Sequence, residues 1–187
     1  MKLIILDRDG VINHDSDSFI KTPDEWQPLP GSLQAIARLN QAGYFVVVAT
    51  NQSGIARKLF DMAALNAIHQ KMHAAALQVG AEIDAIFFCP HSADDHCDCR
   101  KPKPGMFKEI AQRYGVNLKG VQSVGDSLRD LQAGFLSGCV PNLVLTGKGQ
   151  KTLEKGGLPP GTRTFDDLAA MVDALLSAPA SAHSFAV

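Results

Sequence analysis

Apolar residues along the chain keep switching between a short-run rhythm and a helical one. Lys2 to Leu6 is an apolar run ending at the acidic turn DRDG, and Tyr44 to Ala49 (YFVVVA) is another ending at TNQSG. Both predict buried strands. Between them Leu33, Ile36, Ala37 and Leu39 mark a helical stripe after Pro30 and Gly31, with Ser32 as N-cap and Gly43 as terminator, which completes a βαβ unit. Met62, Leu65, Ile68, Met72, Ala76 and Val79 predict a long helix capped by Asp61 and closed at Gly80, followed by a third strand at Ala85 to Cys89. Beyond a polar loop, Met106, Phe107, Ile110, Ala111 and Tyr114 mark a helix, and Val121 to Val124 a strand ending at GDS. Leu128, Leu131 and Phe135 mark the next helix, Asn142 to Leu145 a fifth strand, and Leu168, Met171, Val172 and Leu175 a last helix. Strands alternating with helices of this length predict an α/β fold, a doubly wound, mostly parallel sheet with helices on both faces.

Residues 14 to 30, with three Pro and Trp26, read as an irregular excursion after the first strand, with Trp26 as its packing anchor. Only short insertions follow the first and third strands, leaving no room for a separate cap domain. Residues 1–176 are expected to form a single domain and 177–187 a flexible tail. A chain of 187 residues can bury a sizeable core unaided. Its formal charge of −1 gives no basic footprint for nucleic acid. The apolar runs stop far short of the ~20 residues of a membrane helix, and Asp7 falls where a signal peptide is still apolar. The expectation is a cytoplasmic, monomeric protein with neither a nucleic-acid nor a membrane partner.

In an open parallel sheet, ligands bind outside the carboxyl ends of the strands. Those ends carry Asp7 and Asp9, then Thr50 and Asn51, then Arg100 and Lys101, and finally Asp126, with Asp130 one turn into the next helix. Carboxylates converging in this way repel one another, and a hard dication such as Mg²⁺ relieves the repulsion. Asp7 beside a metal can be a ligand only, or can also attack phosphorus. Asp9 is placed to act as general acid and then general base, while Thr50 and backbone N–H groups hold phosphate oxygens and Lys101 balances transition-state charge. An isolated DxD is commonly a capped turn; four such motifs on successive strand ends make a set.

Three cysteines fall within eleven positions, in CPHSADDHCDC, while Cys139 stands alone. Cys89, His91, Cys97 and Cys99 supply three thiolates and one imidazole, enough to close a structural Zn²⁺ site that pins the loop delivering Arg100 and Lys101. His96 is the competing ligand. Cys139, between Gly138 and Val140, reads as a buried core thiol. His69 and His73 lie four apart on the long helix, but no carboxylate or thiol completes a metal set, so they read as satisfied or solvated. His14 and Asp15 lie close enough to DRDG to touch substrate.

DRDGVIN, TNQSGIAR, CDCRKPKPGMF and VGDSLRDLQAG resemble the haloacid dehalogenase superfamily of phosphatases, most closely its bacterial D-glycero-D-manno-heptose 1,7-bisphosphate 7-phosphatases, over about residues 1–150. The resemblance implies a Rossmann-like sheet with Asp7 as nucleophile, Asp9 as acid/base, and Thr50 and Asn51 on the transferring phosphate. It further implies Lys101 as the phosphate-stabilising lysine, Mg²⁺ on Asp7, Asp126 and the Asp9 carbonyl, and Gln52, Ser53 and Arg100 near a small phosphorylated sugar. It selects Lys101 over Lys103 through the RKP pattern, and His91 over His96 through CPH followed by CxC. Ser127 departs from relatives that carry Lys at that position. The implied reaction, removal of the 7-phosphate through an aspartyl-phosphate, belongs to the making of ADP-heptose for the lipopolysaccharide core. Histidinol-phosphate phosphatases share DRDG and the zinc loop and are the near alternative. A receiver-like phospho-Asp module and a zinc-stabilised binding protein are distant ones, with no use for Asp9 or for a pinned RKP loop.

Overall fold

The computed structural model describes residues 1–177. Six strands form one sheet in the order β3-β2-β1-β4-β5-β6, every neighbouring pair parallel. They are β1 (Lys2–Leu6), β2 (Tyr44–Asn51), β3 (Ala85–Cys89), β4 (Gln122–Gly125), β5 (Val140–Val144) and β6 (Arg163–Phe165). The helices are α1 (Ser32–Gln41), α2 (Met62–Gln78), α3 (Gly105–Tyr114), α4 (Leu128–Leu136), α5 (Gly149–Lys155) and α6 (Leu168–Ser177).

Both faces of the sheet are covered, and the period-2 alternation of the central strands shows why. Ile4, Leu6, Val46 and Val48 point into one core with Ile36, Ile68, Met72 and Leu168 of α1, α2 and α6. Leu3, Ile5, Val47 and Ala49 point into the other, with Met106, Phe107 and Ile110 of α3 and Ala133 of α4. Strands buried on both sides must read as continuous apolar runs, as β1 and β2 do. The sheet reverses direction between β1 and β4, where the chain returns after building β2 and β3 on one side, and the carboxyl ends of β1 and β4 therefore flank an open crevice.

The structure departs from the expectations in four places. Ser32 is the first residue of α1 and not its cap; Gly31 takes the cap position at φ 77°, and the Ser32 hydroxyl donates to the carbonyls of Ile12 and Leu29, tying the excursion to the helix. The fifth strand begins two residues earlier than the pattern indicates, at Val140. Short β6 and α5 carry too little periodicity to announce themselves. Ser177 ends α6, and the rest of the expected tail lies outside the described residues. Asp61 caps α2 as expected, accepting from Ala64 N–H at 2.8 Å, and Trp26 is buried in the core under the excursion. Among the described residues no helix is long and apolar enough to cross a membrane.

Candidate active site

The ends of β1, β2 and β4, with the loop after β3, open onto a cavity of about 220 Å³. Asp7, Asp9, Thr50, Asn51, Gln52, Ser53, Arg100, Lys101 and Asp126 all line it, so the structure brings together every catalytic, substrate and Mg²⁺ residue expected from the sequence. Asp7 and Asp126 are the first residues past β1 and β4, Thr50 and Asn51 close β2, and Arg100 and Lys101 come from the loop between β3 and α3.

Asp7 extends β1, its N–H donating to the Val124 carbonyl at 2.9 Å, which places its carboxylate beside that of Asp126. One oxygen each from Asp7, Asp126 and Asp130 lie within 4.8 Å of one another. Burial, and after it the charge of Asp130, push Asp7 up to about 6 and Asp126 up to about 8. Three mutually repelling oxygen donors are the chemistry that a hard dication relieves, so the residues fit Mg²⁺. Gly10 makes the approach possible: at φ 81°, a Cβ there would fall 2.1 Å from Asp126 Oδ2. Asp130 also serves the fold. It accepts from Ser127 N–H at 3.0 Å in a capping box at the start of α4, so the residue that caps the helix faces the metal cluster.

Lys101 is buried and answers this charge, with Nζ 2.9 Å from Asp7 Oδ1 and 2.7 Å from Asp130 Oδ1 while donating to the Ala49 carbonyl at 2.7 Å. Burial opposes its charge, but Asp130 and Asp7 outweigh it and raise the ammonium above its usual range. Its backbone is clamped by Asn51, whose amide donates to the Lys101 carbonyl at 3.0 Å and accepts from the Lys101 N–H at 3.1 Å. Asn51, expected on the phosphate, thus spends two of its polar contacts positioning the lysine. Lys103 points away and donates to the carbonyls of His96 and Cys97, bracing the cysteine loop.

Asp9 lies in a different environment from Asp7. Its carboxylate accepts from Arg8, from Asn13 Nδ2 at 2.9 Å and from Gln52 Nε2 at 2.9 Å. Burial pushes its pKa up, but Arg8 and these hydrogen bonds win and hold it below the ordinary carboxylate value. Two carboxylates two residues apart are thus pushed in opposite directions, Asp7 up and Asp9 down, and a dication on Asp7 would favour its ionised form. Gln52 also donates to Thr50 Oγ1 at 2.9 Å.

The far rim was only partly foreseen. Asp15 lines the cavity, while His14 is exposed on a neighbouring depression. Lys148 pairs with Asp15 at 3.0 Å and Asp17 at 3.4 Å, so an ion pair joins the excursion to the loop after β5. That loop buttresses the metal cluster. Thr146 donates to the Gly10 carbonyl at 2.6 Å and Lys148 N–H donates to Asp126 Oδ2 at 2.8 Å, while Thr152 of α5, the helix that follows, donates to the Asp126 carbonyl at 2.8 Å. Arg57 and Arg129 add charge to the rim. Sequence reading missed this loop, whose one signal is the Gly-rich TGKG directly after a strand end.

Cys89, His91, Cys97 and Cys99 form a second cluster of potential ligands. Their sulfurs lie 3.2 to 3.6 Å apart, and His91 Nδ1 is 3.3 Å from Cys99 Sγ. Four soft donors this close suit a tetrahedral Zn²⁺ with bonds of ~2.0 to 2.3 Å and no open position. His96 stands outside the cluster. Cys139 is buried in the second core, and burial pushes its thiol up to about 12.

Comparison with known proteins agrees with this geometry. The family model of haloacid dehalogenase-like hydrolases matches residues 2–138. A D-glycero-beta-D-manno-heptose-1,7-bisphosphate 7-phosphatase of Bordetella bronchiseptica is 67% identical over 176 residues, covering 94% of this chain and 98% of the relative. One of Pseudomonas aeruginosa is 58% identical, covering 93% and 97%. The crystal structure of the D,D-heptose 1,7-bisphosphate phosphatase from B. bronchiseptica, complexed with magnesium and phosphate, superposes with a TM-score of 0.93 over 94% of this chain and 98% of that one.

Proposed function

The chain belongs to the haloacid dehalogenase-like hydrolases, and from that premise we propose that it is a Mg²⁺-dependent phosphomonoesterase that removes the 7-phosphate of D-glycero-D-manno-heptose 1,7-bisphosphate. What carries this is a single cavity holding Asp7 and Asp9, a buried lysine and a cluster of three carboxylates. The relatives named above act on the β anomer, which is therefore the expected substrate. The product belongs to the supply of ADP-heptose for the lipopolysaccharide core.

Asp7 is the nucleophile. A carboxylate oxygen of Asp7 bonds to phosphorus as the bond from phosphorus to the C7 oxygen breaks, and the departing oxygen takes from Asp9 a proton that Asp9 gains from solvent as the negative charge of the phosphate binds beside it. In the second half Asp9, now ionised, takes a proton from water, the water oxygen bonds to phosphorus, and the bond to Asp7 breaks to release phosphate. The contacts of Asp9 with Arg8, Asn13 and Gln52 are those of the ionised form that this half-reaction uses. Thr50 and Asn51 take phosphate oxygens, and Lys101 sets positive charge against the transferring group. Gln52, Ser53 and Arg100 face the sugar. Asp7, Asp126 and the Asp9 carbonyl hold Mg²⁺, which when bound shields the charge between nucleophile and phosphate.

Cys89, His91, Cys97 and Cys99 hold a structural Zn²⁺ that fixes the loop presenting Arg100 and Lys101. Three thiolates kept as metal ligands fit a reducing compartment, which supports the cytoplasm as the place of action. Residues 1–176 act as one phosphatase domain without a cap, and since every residue invoked comes from one chain, a monomer suffices.

The test is kcat/KM for the α and β heptose 1,7-bisphosphates, fructose bisphosphate and histidinol phosphate. The expected order places the β heptose bisphosphate first; a preference for histidinol phosphate overturns the substrate, and no phosphate release from any of them overturns the activity.

A further inference from the structure

His69 takes no part in the chemistry above and Arg8 enters it only through its contact with Asp9, yet both are buried next to it. Arg8 is 0% exposed despite its charge. Its Nε reaches Asp9 Oδ1 at 3.1 Å, its Nη2 reaches both Asp9 oxygens at 2.9 and 3.0 Å, and its Nη1 meets His69 Nε2 at 3.3 Å. A guanidinium has only donors, so His69 must accept through Nε2 as a neutral ring with its proton on Nδ1. Burial, followed by the charge of Arg8, pushes His69 down to about 4, which keeps the ring neutral. Phe88 packs edge-on against the imidazole, 6.4 Å between centroids at 63°. His69 comes from the middle of α2 and Phe88 from β3, one residue before Cys89.

We propose that His69 is a positioning residue for the reaction, its Nε2 anchoring Arg8 so that the guanidinium fork stays flat against Asp9 and fixes that carboxylate relative to Asp7. A fork gripping a carboxylate through two nitrogens transmits its own orientation, because both planes must coincide. The opposite edge of Arg8 has no acceptor besides His69 among the described residues. Without that acceptor a buried Nη1 is left unsatisfied, and the guanidinium turns to find another partner, carrying Asp9 with it. A small misplacement of an acid/base group is enough to slow chemistry without weakening substrate binding. The inference rests on the reading of Asp9 as the acid/base.

The experiment compares His69→Phe, which keeps a ring against Phe88 but has no acceptor, with His69→Gln, whose amide oxygen can accept from Arg8. Steady-state kinetics on the β heptose bisphosphate are read with thermal melting as the folding control. His69→Phe is expected to lower kcat about tenfold with KM within about twofold, whereas His69→Gln stays within about threefold of the parent protein. Arg8→Lys, which loses the fork, should show the same kcat defect, and combining it with His69→Phe should add nothing. Full kcat in His69→Phe, an equal loss in Phe and Gln variants, a loss confined to KM, or an additive double variant each overturns the proposal. If His69→Phe does not fold, His69→Leu replaces it under the same criteria. Failure of the proposed function itself is seen separately, as absence of phosphate release by the unmodified protein.

Discussion

Gly147 is where a one-methyl change reaches the metal cluster from outside it. The residue sits at φ 56°, and a Cβ there would lie 2.3 Å from Asp126 Oδ2 and 2.6 Å from Gly10 Cα. Cβ contacts do not occur below 3.0 Å, so in Gly147→Ala the Asp126 oxygen must withdraw by at least ~0.7 Å, and Gly10, being backbone, yields less readily. Mg²⁺ demands near-ideal octahedral geometry at ~2.0 to 2.1 Å, so a donor displaced this far is largely lost. Changes that disturb a ligand's support cost about 10- to 100-fold in metal affinity. The left-handed backbone adds ~1 to 2 kcal/mol of strain, roughly 2 to 8 °C in melting temperature for a chain of this size. Gly157→Ala separates the two effects: its φ is 72° and nothing lies within 4 Å of the added Cβ. Both variants should melt lower from the shared backbone strain, Gly147→Ala by more because its Cβ also meets Asp126 and Gly10, while only Gly147→Ala should need 10- to 100-fold more Mg²⁺ for half-maximal phosphatase activity, with part of kcat returning at saturating metal. An unchanged Mg²⁺ requirement in Gly147→Ala, or an equal rise in both, refutes the claim that this loop shapes the metal cluster.

Three further outcomes follow from the site. Asp7→Asn removes the nucleophile with almost no change of volume, so phosphate release should become undetectable while the melting temperature stays within a few degrees; measurable turnover above a blank counts against an aspartyl-phosphate. The protein should carry one zinc per chain by elemental analysis, and stripping it should lower kcat in a way that zinc restores and excess Mg²⁺ does not, because Lys101 lies two residues past Cys99; recovery with Mg²⁺ alone removes the zinc from the argument. Without Mg²⁺, Asp7 at about 6 and Asp126 at about 8 hold protons in the folded state that the unfolded chain releases near its ordinary carboxylate value. Their contribution to stability is therefore complete below about pH 4 and lost as pH rises through 6 and 8. The melting temperature of Mg²⁺-free protein should fall between pH 5.5 and 8.5 and the Mg²⁺-induced increase should grow over the same range, whereas equal Mg²⁺ shifts at both ends contradict the assigned cause.

The division between what was legible in the sequence and what was not follows the range of the interactions. Asp7, Asp9, Thr50, Asn51 and Asp126 are found from sequence because each directly follows an apolar run, and the topology of a parallel sheet puts all such positions at one edge. The cysteine cluster is found because its members are close in sequence and their chemistry is narrow. Thr146, Gly147 and Lys148 escaped because TGKG is ordinary turn chemistry, and its importance lies in contacts with Asp126, more than twenty residues away, and with Gly10, more than a hundred residues away. His69 was read as satisfied, which it is, yet its partner could not be named: only the packing of α2 against the sheet brings it to Arg8.

Among the described residues no second domain stands over the site, so the site must be rigid before the substrate arrives. Here that rigidity is shared among four braced segments. The first is tied to the last by Thr146 and Gly10, the excursion to the last by Lys148 with Asp15 and Asp17, and the cysteine loop to β2 by Asn51 and Lys101. Carboxylates held this close without their metal repel, which adds to burial in raising Asp7 and Asp126, and the bracing keeps the loops from relaxing apart. Stability given up at the site is in this way converted into a preformed position for the dication and the phosphate, which is why small changes in the braces, a methyl at Gly147 or a lost acceptor at His69, are expected to register in metal affinity and kcat before they register in the fold.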